Sequence, residues 1–187
     1  MKKGFRILKF KKDRPIFEVK DISKSFDGRP ILKKLSIKVF PGECVGILGP
    51  NGCGKTTLFS MCIGEQNPES GKIYLNNKAI DQIPIHLRSN EGLGYLPQQR
   101  SVFNLSTYDN IFGICQLYFK DLAKQKAITE KLLDEFNLQH LRSLNASVLS
   151  GGEVRRVMLA RLMINKPKIV LLDEPLAALD PQIIQDI

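Results

Sequence analysis

The chain has 187 residues, of which 43% are hydrophobic and 25% are charged, as is ordinary for a globular protein. No apolar run approaches the length of a membrane span, and the charged start, MKKGFRILKFKKDR, does not fit a signal peptide. We therefore expect a cytoplasmic protein that does not cross the membrane itself.

The formal net charge is +9, and seven of the first fourteen residues are basic. Such a segment can attract anionic lipid or nucleic acid, but a solvated terminus is the more common interpretation. We treat residues 1–15 as a basic N-terminal segment and expect no nucleic-acid partner.

The cysteines and histidines lack the spacing of a zinc site, because no C-x-x-C pair is present. We expect four reduced thiols in a cytosolic protein and no zinc. These residues are Cys44, Cys53, Cys62, Cys115, His86 and His140.

Residues 16–48 are predicted to form strands. IFEVKDI and LSIKVF are strand-like, and Asp27-Gly28 between them indicates a tight turn. CVGIL at 44–48 is a short apolar run that predicts a buried strand. It leads into a glycine-rich loop at 49–57 and a helix that starts near Lys55. GKIYLNNKAI at 71–80 predicts a further strand with a turn at Asn76-Asn77.

The pattern becomes helical between residues 100 and 165. In KQKAITEKLLDEF, an apolar face predicts a helix that packs on a core; its residues are Ile128, Leu132, Leu133 and Phe136. The continuous apolar run from Ile169 to Leu172 predicts a central parallel strand covered on both faces. We divide the core into a first part at 16–99, a helical subdomain at 100–165 and a second part at 166–187.

The loop GPNGCGKTT fits the phosphate-binding pattern G-x-x-x-x-G-K-[ST] in the required strand–loop–helix context. Its glycines let successive backbone N–H groups point at phosphate oxygens, the lysine reaches the β- and γ-phosphates, and the threonine hydroxyl can bind Mg²⁺. The predicted nucleotide-binding residues here are Gly49, Pro50, Asn51, Gly52, Cys53, Gly54, Lys55, Thr56 and Thr57.

Two carboxylates follow the last predicted strand. Asp173 is placed to hold Mg²⁺ through water, and Glu174 is placed to polarise the attacking water. A capping acid at a strand end is the simpler alternative. Other phosphate-loop proteins fit less well, because the guanine-reading N-K-x-D is absent and the loop is not G-x-G-x-x-G.

The stretch LSGGE at 149–153 precedes a predicted helix, EVRRVMLARLMI. Ser150 and Glu153 fit a capping box, which is sufficient to start a helix. A capping box does not require Gly151 and Gly152, which weaken a first helical turn. Because glycine has no side chain, two glycines are suited to a backbone that a group from outside the helix approaches closely.

The order of phosphate loop, GYLPQ, LSGGE and LLDEP resembles the ATP-binding subunits of ABC transporters. The resemblance covers most of the chain from about residue 16. It implies an α/β fold: a P-loop NTPase core with a mostly parallel central sheet, an antiparallel N-terminal β part and an inserted α-helical subdomain. It also implies ATP and Mg²⁺ as ligands and a second copy as the dimer partner.

In that family the signature motif of one subunit closes on the ATP held by the other, so the resemblance assigns the glycines of LSGGE to a partner's γ-phosphate. It further implies that Phe26 stacks on adenine, although a core role is the alternative. Gln98 would link Mg²⁺ and the water to the helical subdomain. Asp180 would cross the dimer interface. The residues implied at the partner's nucleotide are Ser150, Gly151, Gly152, Glu153 and Asp180.

The run IPIHLRSNEGLGYLPQQRSVFNLSTYDNI is most similar to the ATPases of bacterial lipopolysaccharide export. ATPases of branched-chain amino-acid importers, soluble ribosome-associated ABC proteins and a non-catalytic nucleotide-binding fragment are the alternatives. The resemblance implies a peripheral position at the inner side of the cell membrane. It also implies a groove for permease subunits between Ser101 and Tyr108, with Phe103 as the apolar contact or else a core residue.

Two features depart from the family pattern. Cys53 stands where alanine or serine is usual, and a small-residue substitution explains it better than redox control. The sequence ends at Ile187 without the switch histidine that the family places further on. We therefore expect a partial sequence that lacks a catalytic residue and the end of its sheet.

Overall fold

A computed structural model describes residues 14–174 and places them in two compact units that divide between Glu91 and Gly92. The basic segment before residue 14, Asp180 and the rest of 175–187 lie outside the described residues. None of the described helices is both long and apolar enough to span a bilayer.

The first unit contains a four-stranded antiparallel sheet of order β2-β1-β3-β4. Its strands are β1 (Phe17–Phe26), β2 (Arg29–Val39), β3 (Ser70–Leu75) and β4 (Lys78–Ala79). The predicted strands at 16–40 and 71–80 are thus confirmed. Two helices complete the unit, α1 (Lys55–Ile63) and α2 (Ile85–Glu91).

Both predicted turns are confirmed. Asp27 and Gly28 have φ values of 48° and 74°, and Asn76 and Asn77 have 50° and 62°. Two successive residues with positive φ match the right-handed twist of a hairpin, which is why Asp, Asn and Gly occupy these positions. The turns bring Phe26 opposite Arg29 and Leu75 opposite Lys78.

The predicted strand at 44–48 is wrong, because none of these residues is in a strand. A central strand needs a hydrogen-bonded neighbour, and the described sheets place none beside CVGIL. Val45 and Leu48 are consequently exposed, Leu48 to 95%, and Ile47 is half-buried.

The second unit pairs β5 (Leu93–Leu96) with β6 (Ile169–Leu172) in parallel. Between these strands come α3 (Thr107–Tyr118), α4 (Leu122–Glu135) and α5 (Gly151–Met163). The predicted α/β fold with a helical insertion is therefore confirmed. The predicted parallel pairing of β6 is confirmed. Within the described residues, however, β6 pairs with β5 alone and is therefore not a central strand, and the 39% exposure of Leu172 shows that its faces are not both covered.

The core of the second unit is mainly helical. Leu132 and Leu133 of the predicted α4 face are buried, and Ile128 and Phe136 pack against the same cluster. The buried members of the cluster are Leu96, Ile111, Cys115, Leu132, Leu133, Leu138, Leu141, Ala146, Leu149, Val154, Val157, Met158, Ala160 and Ile164. The apolar stripes of the three helices thus build one core.

One irregularity of the antiparallel sheet depends on a glycine. The register between β1 and β3 shifts between Lys20 and Ser23, opposite the start of β3. Gly71 has a φ of 86° there, and a Cβ on it would overlap the backbone carbonyl oxygen of Lys20. Only glycine combines this conformation with so close an approach.

We expect Gly71→Ala to lower the free energy of unfolding by about 1–3 kcal/mol, because it adds a strained φ and a backbone clash. Gly113→Ala is the matched control, since Gly113 lies inside α3 with open space at its Cβ position. It should be neutral or stabilise by up to about 1 kcal/mol. Urea unfolding of both variants checks this, and equal midpoints would contradict the requirement for glycine at this register shift.

Candidate functional site

The phosphate loop is exposed and leads directly into α1. Gly52 and Gly54 have φ values of 80° and 99°, so both glycines adopt the left-handed conformation that curls the loop. A Cβ on Gly54 would lie 2.9 Å from the side chain of Ile31 in β2, so the loop packs closely against this strand. No side chain caps the N-terminus of α1. Its first N–H groups and its positive dipole end therefore suit a phosphate.

Lys55 lies across the loop that precedes it. Its Nζ donates to the carbonyl oxygens of Gly49 at 2.7 Å and Pro50 at 3.0 Å. Cys53 is exposed, and its Sγ lies 3.9 Å from the same Nζ. The lysine side chain thus lies at the loop, where an ammonium group can exchange backbone carbonyls for phosphate oxygens. The donors present fit a polyphosphate.

The second unit brings Gln98 and Glu174 together, although 76 positions separate them along the chain. The Nε2 of Gln98 donates to Oε2 of Glu174 at 2.5 Å. Strand β5 precedes Gln98 and strand β6 precedes Glu174, so the contact follows from the parallel pairing of these strands. Two residues with predicted catalytic roles therefore share one point at the carboxyl ends of the strands.

Asp173 continues the ladder beyond β6. Its backbone N–H donates to the carbonyl oxygen of Leu96 at 3.0 Å, and the residue is buried. Glu174 follows with a φ of 46° and is exposed. A positive φ is uncommon for a residue other than glycine, and such conformations concentrate at functional sites. The turn separates a buried carboxylate from an exposed one in adjacent positions.

Arg155 in α5 joins these two strand ends, and the sequence analysis missed this role. Its Nη1 donates to the carbonyl oxygen of Pro97 at 2.7 Å, and its Nη2 donates to that of Asp173 at 3.3 Å. Burial lowers the pKa of Arg155, and the negative charge of Asp173 acts in the opposite direction. The position of Arg155 in EVRR, directly after LSGGE, was the only sequence signal.

The LSGGE motif begins α5 with the predicted capping box. The backbone N–H of Ser150 donates to Glu153 Oε2 at 2.7 Å, and Glu153 N donates back to Ser150 Oγ at 3.4 Å. The hydrogen bonds from Ser150 lower the pKa of Glu153. Gly152 has open space where a Cβ would stand. Packing within the chain therefore does not require glycine there, which agrees with an external group approaching this turn.

Two predicted aromatic contacts are at the surface. Phe26 is 44% exposed at the end of β1, with Lys24 Nζ 5.5 Å from its ring centroid. Phe103 is 49% exposed, and the Arg161 guanidinium lies 4.6 Å from its ring centroid. Neither is a core residue, so the core alternatives are wrong for both. Their roles toward adenine and toward a permease stay predictions.

The segment that contains Phe103 is held firmly from within. Asn110 is fully buried, accepts from Phe103 N at 2.8 Å, and donates to the carbonyl oxygens of Phe103 and Leu105 at 3.0 and 3.2 Å. Arg161 Nη1 donates to the Ser101 carbonyl oxygen at 2.6 Å. An exposed aromatic on a fixed backbone is a typical anchor for a protein partner.

A family model for ABC transporters matches residues 32–177. The chain is 42% identical over 170 residues to the lipopolysaccharide export ATP-binding protein LptB of Escherichia coli, covering 90% of this chain and 70% of that one. The chain belongs to the ABC transporter family. The Haemophilus influenzae LptB is 41% identical over 175 residues, covering 92% and 72% of the two chains.

Solved structures agree with this membership. The structure of cbiO1 from Clostridium perfringens, part of the ABC transporter complex cbiONQ, matches with a TM-score of 0.84 and 29% identity over 93% of this chain and 71% of that one. The present chain is therefore an ABC ATP-binding subunit, and as such an ATPase that binds nucleotide. Subunits of this kind dimerise and work with membrane components.

We expect Arg155→Met to lower the free energy of unfolding by about 1–3 kcal/mol, because the half-buried carbonyl oxygens of Pro97 and Asp173 lose their charged donor. Arg155→Lys should recover part of this loss, since one ammonium can reach one of the carbonyls. Lys126→Met, in the exposed part of α4, removes the same charge and is the control. Denaturant unfolding measures all three variants. Equal effects of Arg155→Met and Lys126→Met would contradict the conclusion that Arg155 holds the two strand ends together.

Proposed function

We propose that this chain hydrolyses Mg²⁺-ATP in a head-to-tail dimer and thereby powers lipopolysaccharide export through membrane permease subunits. The hydrogen bond between Gln98 and Glu174 is the observation that carries the catalytic part. The identity to LptB proteins of two bacteria supports the transport part. The protein would act as a peripheral subunit at the inner face of the cell membrane.

The phosphate loop binds the β- and γ-phosphates in this proposal. Backbone N–H groups at the N-terminus of α1 and the Lys55 ammonium neutralise the phosphate charge. Phe26 offers its exposed ring to the adenine. Mg²⁺, when bound, draws negative charge from the phosphate oxygens and orients them for in-line attack. The residues that would hold it are Thr56, Gln98 and Asp173.

Glu174 accepts a hydrogen bond from the water that attacks the γ-phosphate. Its exposed carboxylate extends from a turn that is fixed by β6 and by the hydrogen bond from Arg155 to the Asp173 carbonyl oxygen. Gln98 contacts the carboxylate and so orients it. Glu174 is exposed on a fixed backbone and can reach the attacking water, whereas Asp173 stays buried and is assigned to Mg²⁺. The two adjacent carboxylates thus have different roles.

The signature motif of one copy completes the nucleotide site of the other. The Ser150 hydroxyl donates to Glu153 Oε2 at 2.7 Å in the structure and, in the closed dimer, turns this hydrogen bond to the partner's γ-phosphate. Gly151 and Gly152 let that phosphate approach the start of α5. Glu153 holds Ser150 in place through the capping box. Closure then depends on contacts that exist only while the γ-phosphate is present, so hydrolysis reopens the dimer.

The permease subunits bind the surface between Ser101 and Tyr108. Phe103 inserts into an apolar pocket of the partner, and Asn110 keeps its backbone fixed while force is transmitted. Because this segment follows Gln98 by only a few residues, a change at the γ-phosphate reaches the permease contact over a short stretch of chain.

We expect Glu174→Gln to lower ATP turnover at least roughly a hundredfold in the full-length protein and to leave ATP affinity unchanged, because it removes the base but keeps the shape. Asp134→Asn, an exposed acid of α4, is the control for the loss of one charge. Phosphate release and equilibrium ATP binding measure the two effects. Turnover at the wild-type rate would eliminate Glu174 as the base.

Mass spectrometry of the native complex tests the transport role. The chain is tagged at its N-terminus and purified from detergent-solubilised membranes. We expect permease subunits of lipopolysaccharide export among its partners. Permeases for branched-chain amino acids would redirect the substrate, and ribosomal proteins would contradict a transport function.

A further inference from the structure

The short helix α2 is attached to the first unit in an unusual way. Arg88 is its only buried residue and is 2% exposed, whereas the apolar residues Ile85 and Leu87 are exposed. A surface helix normally buries an apolar stripe. Here a charged side chain replaces it, which requires compensating contacts because burial of an unpaired charge is very costly.

Those contacts are four hydrogen bonds to backbone carbonyl oxygens. Nη1 of Arg88 donates to Met61 at 2.8 Å and to Cys62 at 2.7 Å. Nη2 donates to Asp81 at 3.0 Å, and Nε donates to Ile83 at 2.7 Å. All three guanidinium nitrogens are therefore used, and each bond has a charged donor.

Two of the acceptors belong to the last turn of α1. Helices leave their final carbonyls unsatisfied and carry a partial negative charge at this end. The guanidinium supplies the opposite charge and donates to the carbonyl oxygens of Met61 and Cys62, of which that of Met61 also accepts from Gly64 N at 3.2 Å. Burial lowers the pKa of Arg88, and the charge of Asp81 opposes that change. Burial raises the pKa of the Cys62 thiol to about 12, so this neighbour stays neutral.

The end of α1 is shaped around this side chain. Gly64 ends the helix with a φ of 92°, and a Cβ on it would lie 2.7 Å from Nε of Arg88. Glycine is therefore needed both for the left-handed cap and to leave space for the guanidinium.

Helix α1 carries the phosphate loop at its other end. It has nine residues, begins at Lys55 and is roughly 13 Å long at 1.5 Å per residue. A helix this short moves as a rigid rod, so a shift at Met61 and Cys62 displaces Lys55 and Thr56. We infer that Arg88 is a positioning residue for ATP binding, which fixes the C-terminal end of α1 and thereby the phosphate-binding end. This inference rests on the proposed ATP-binding function.

The test measures Mg²⁺-ATP affinity and turnover in full-length wild type, Arg88→Lys and Arg88→Met. We expect the Kd for ATP to rise roughly tenfold in Arg88→Met and less in Arg88→Lys, which keeps the charge and some of the bonds. The KM for ATP should rise more than turnover at saturating ATP falls. An unchanged Kd in folded Arg88→Met would overturn the inference.

A control separates positioning from stability alone. Ile73→Ala removes a fully buried side chain of β3, which is not a hydrogen-bond partner of Arg88, and lowers stability. We expect its Kd for ATP to stay within about twofold of wild type. If Ile73→Ala weakens ATP binding as much as Arg88→Met does, Arg88 has only a structural role.

Gly64→Ala provides a second route should Arg88→Met fail to fold. The added methyl group displaces the guanidinium, so its Kd should rise as in the arginine variants, and a wild-type Kd would contradict the inference. The Gly64→Ala, Arg88→Ala double variant, compared with Arg88→Ala alone, should show the same Kd for ATP, because the clash with the guanidinium is gone and the remaining strained φ at position 64 lowers stability only. Failure of wild type to bind ATP would instead refute the proposed function.

Discussion

The parallel pairing of β5 with β6 is the constraint on which the proposed catalytic arrangement depends. Parallel strands end at the same edge, so residues that follow them meet although a helical insertion separates them in sequence. Gln98 and Glu174 meet for this reason. Arg155 then joins the same edge to the helix that begins with the signature motif. The pairing of β5 with β6 thus connects Glu174, Gln98 and the helix that begins with the signature motif.

An arginine serves as a connector in each unit: Arg88, which is buried, in the first and Arg155, which is half-buried, in the second. Arg88 joins α2 to the end of α1, and Arg155 joins α5 to the ends of β5 and β6. In each case the guanidinium donates to backbone carbonyl oxygens where a helix or a strand ends. Such bonds fix positions more tightly than apolar contacts, because they are directional and because an unpaired buried charge is costly. The phosphate loop and the strand ends where Gln98 and Glu174 meet are exposed. Arg88 and Arg155, which hold the neighbouring elements in place, are less exposed.

The sequence predicted features that local chemistry decides. Asn76-Asn77 and the capping box of Ser150 and Glu153 were predictable because a positive φ or an unpaired helix N–H selects those residue types. The arginine contacts were not, since four of the six acceptor carbonyls lie 18 or more positions away in the chain. The strand expected at 44–48 failed for a related reason. An apolar run such as CVGIL indicates burial only when neighbouring strands pair with it, and periodicity does not report the neighbours.

The most direct test of the head-to-tail dimer uses the natural Cys53 in the phosphate loop and a cysteine placed by Val148→Cys, at an exposed position just before the signature motif. The full-length protein carries Cys44→Ser so that Cys53 and the new cysteine are the exposed thiols of the described residues, and a short bifunctional maleimide is added with or without Mg²⁺-ATP. We expect a cross-link between copies that forms with ATP and disappears when Cys53 is replaced by alanine. ATP binding without this cross-link, or equal cross-linking without nucleotide, would contradict the account.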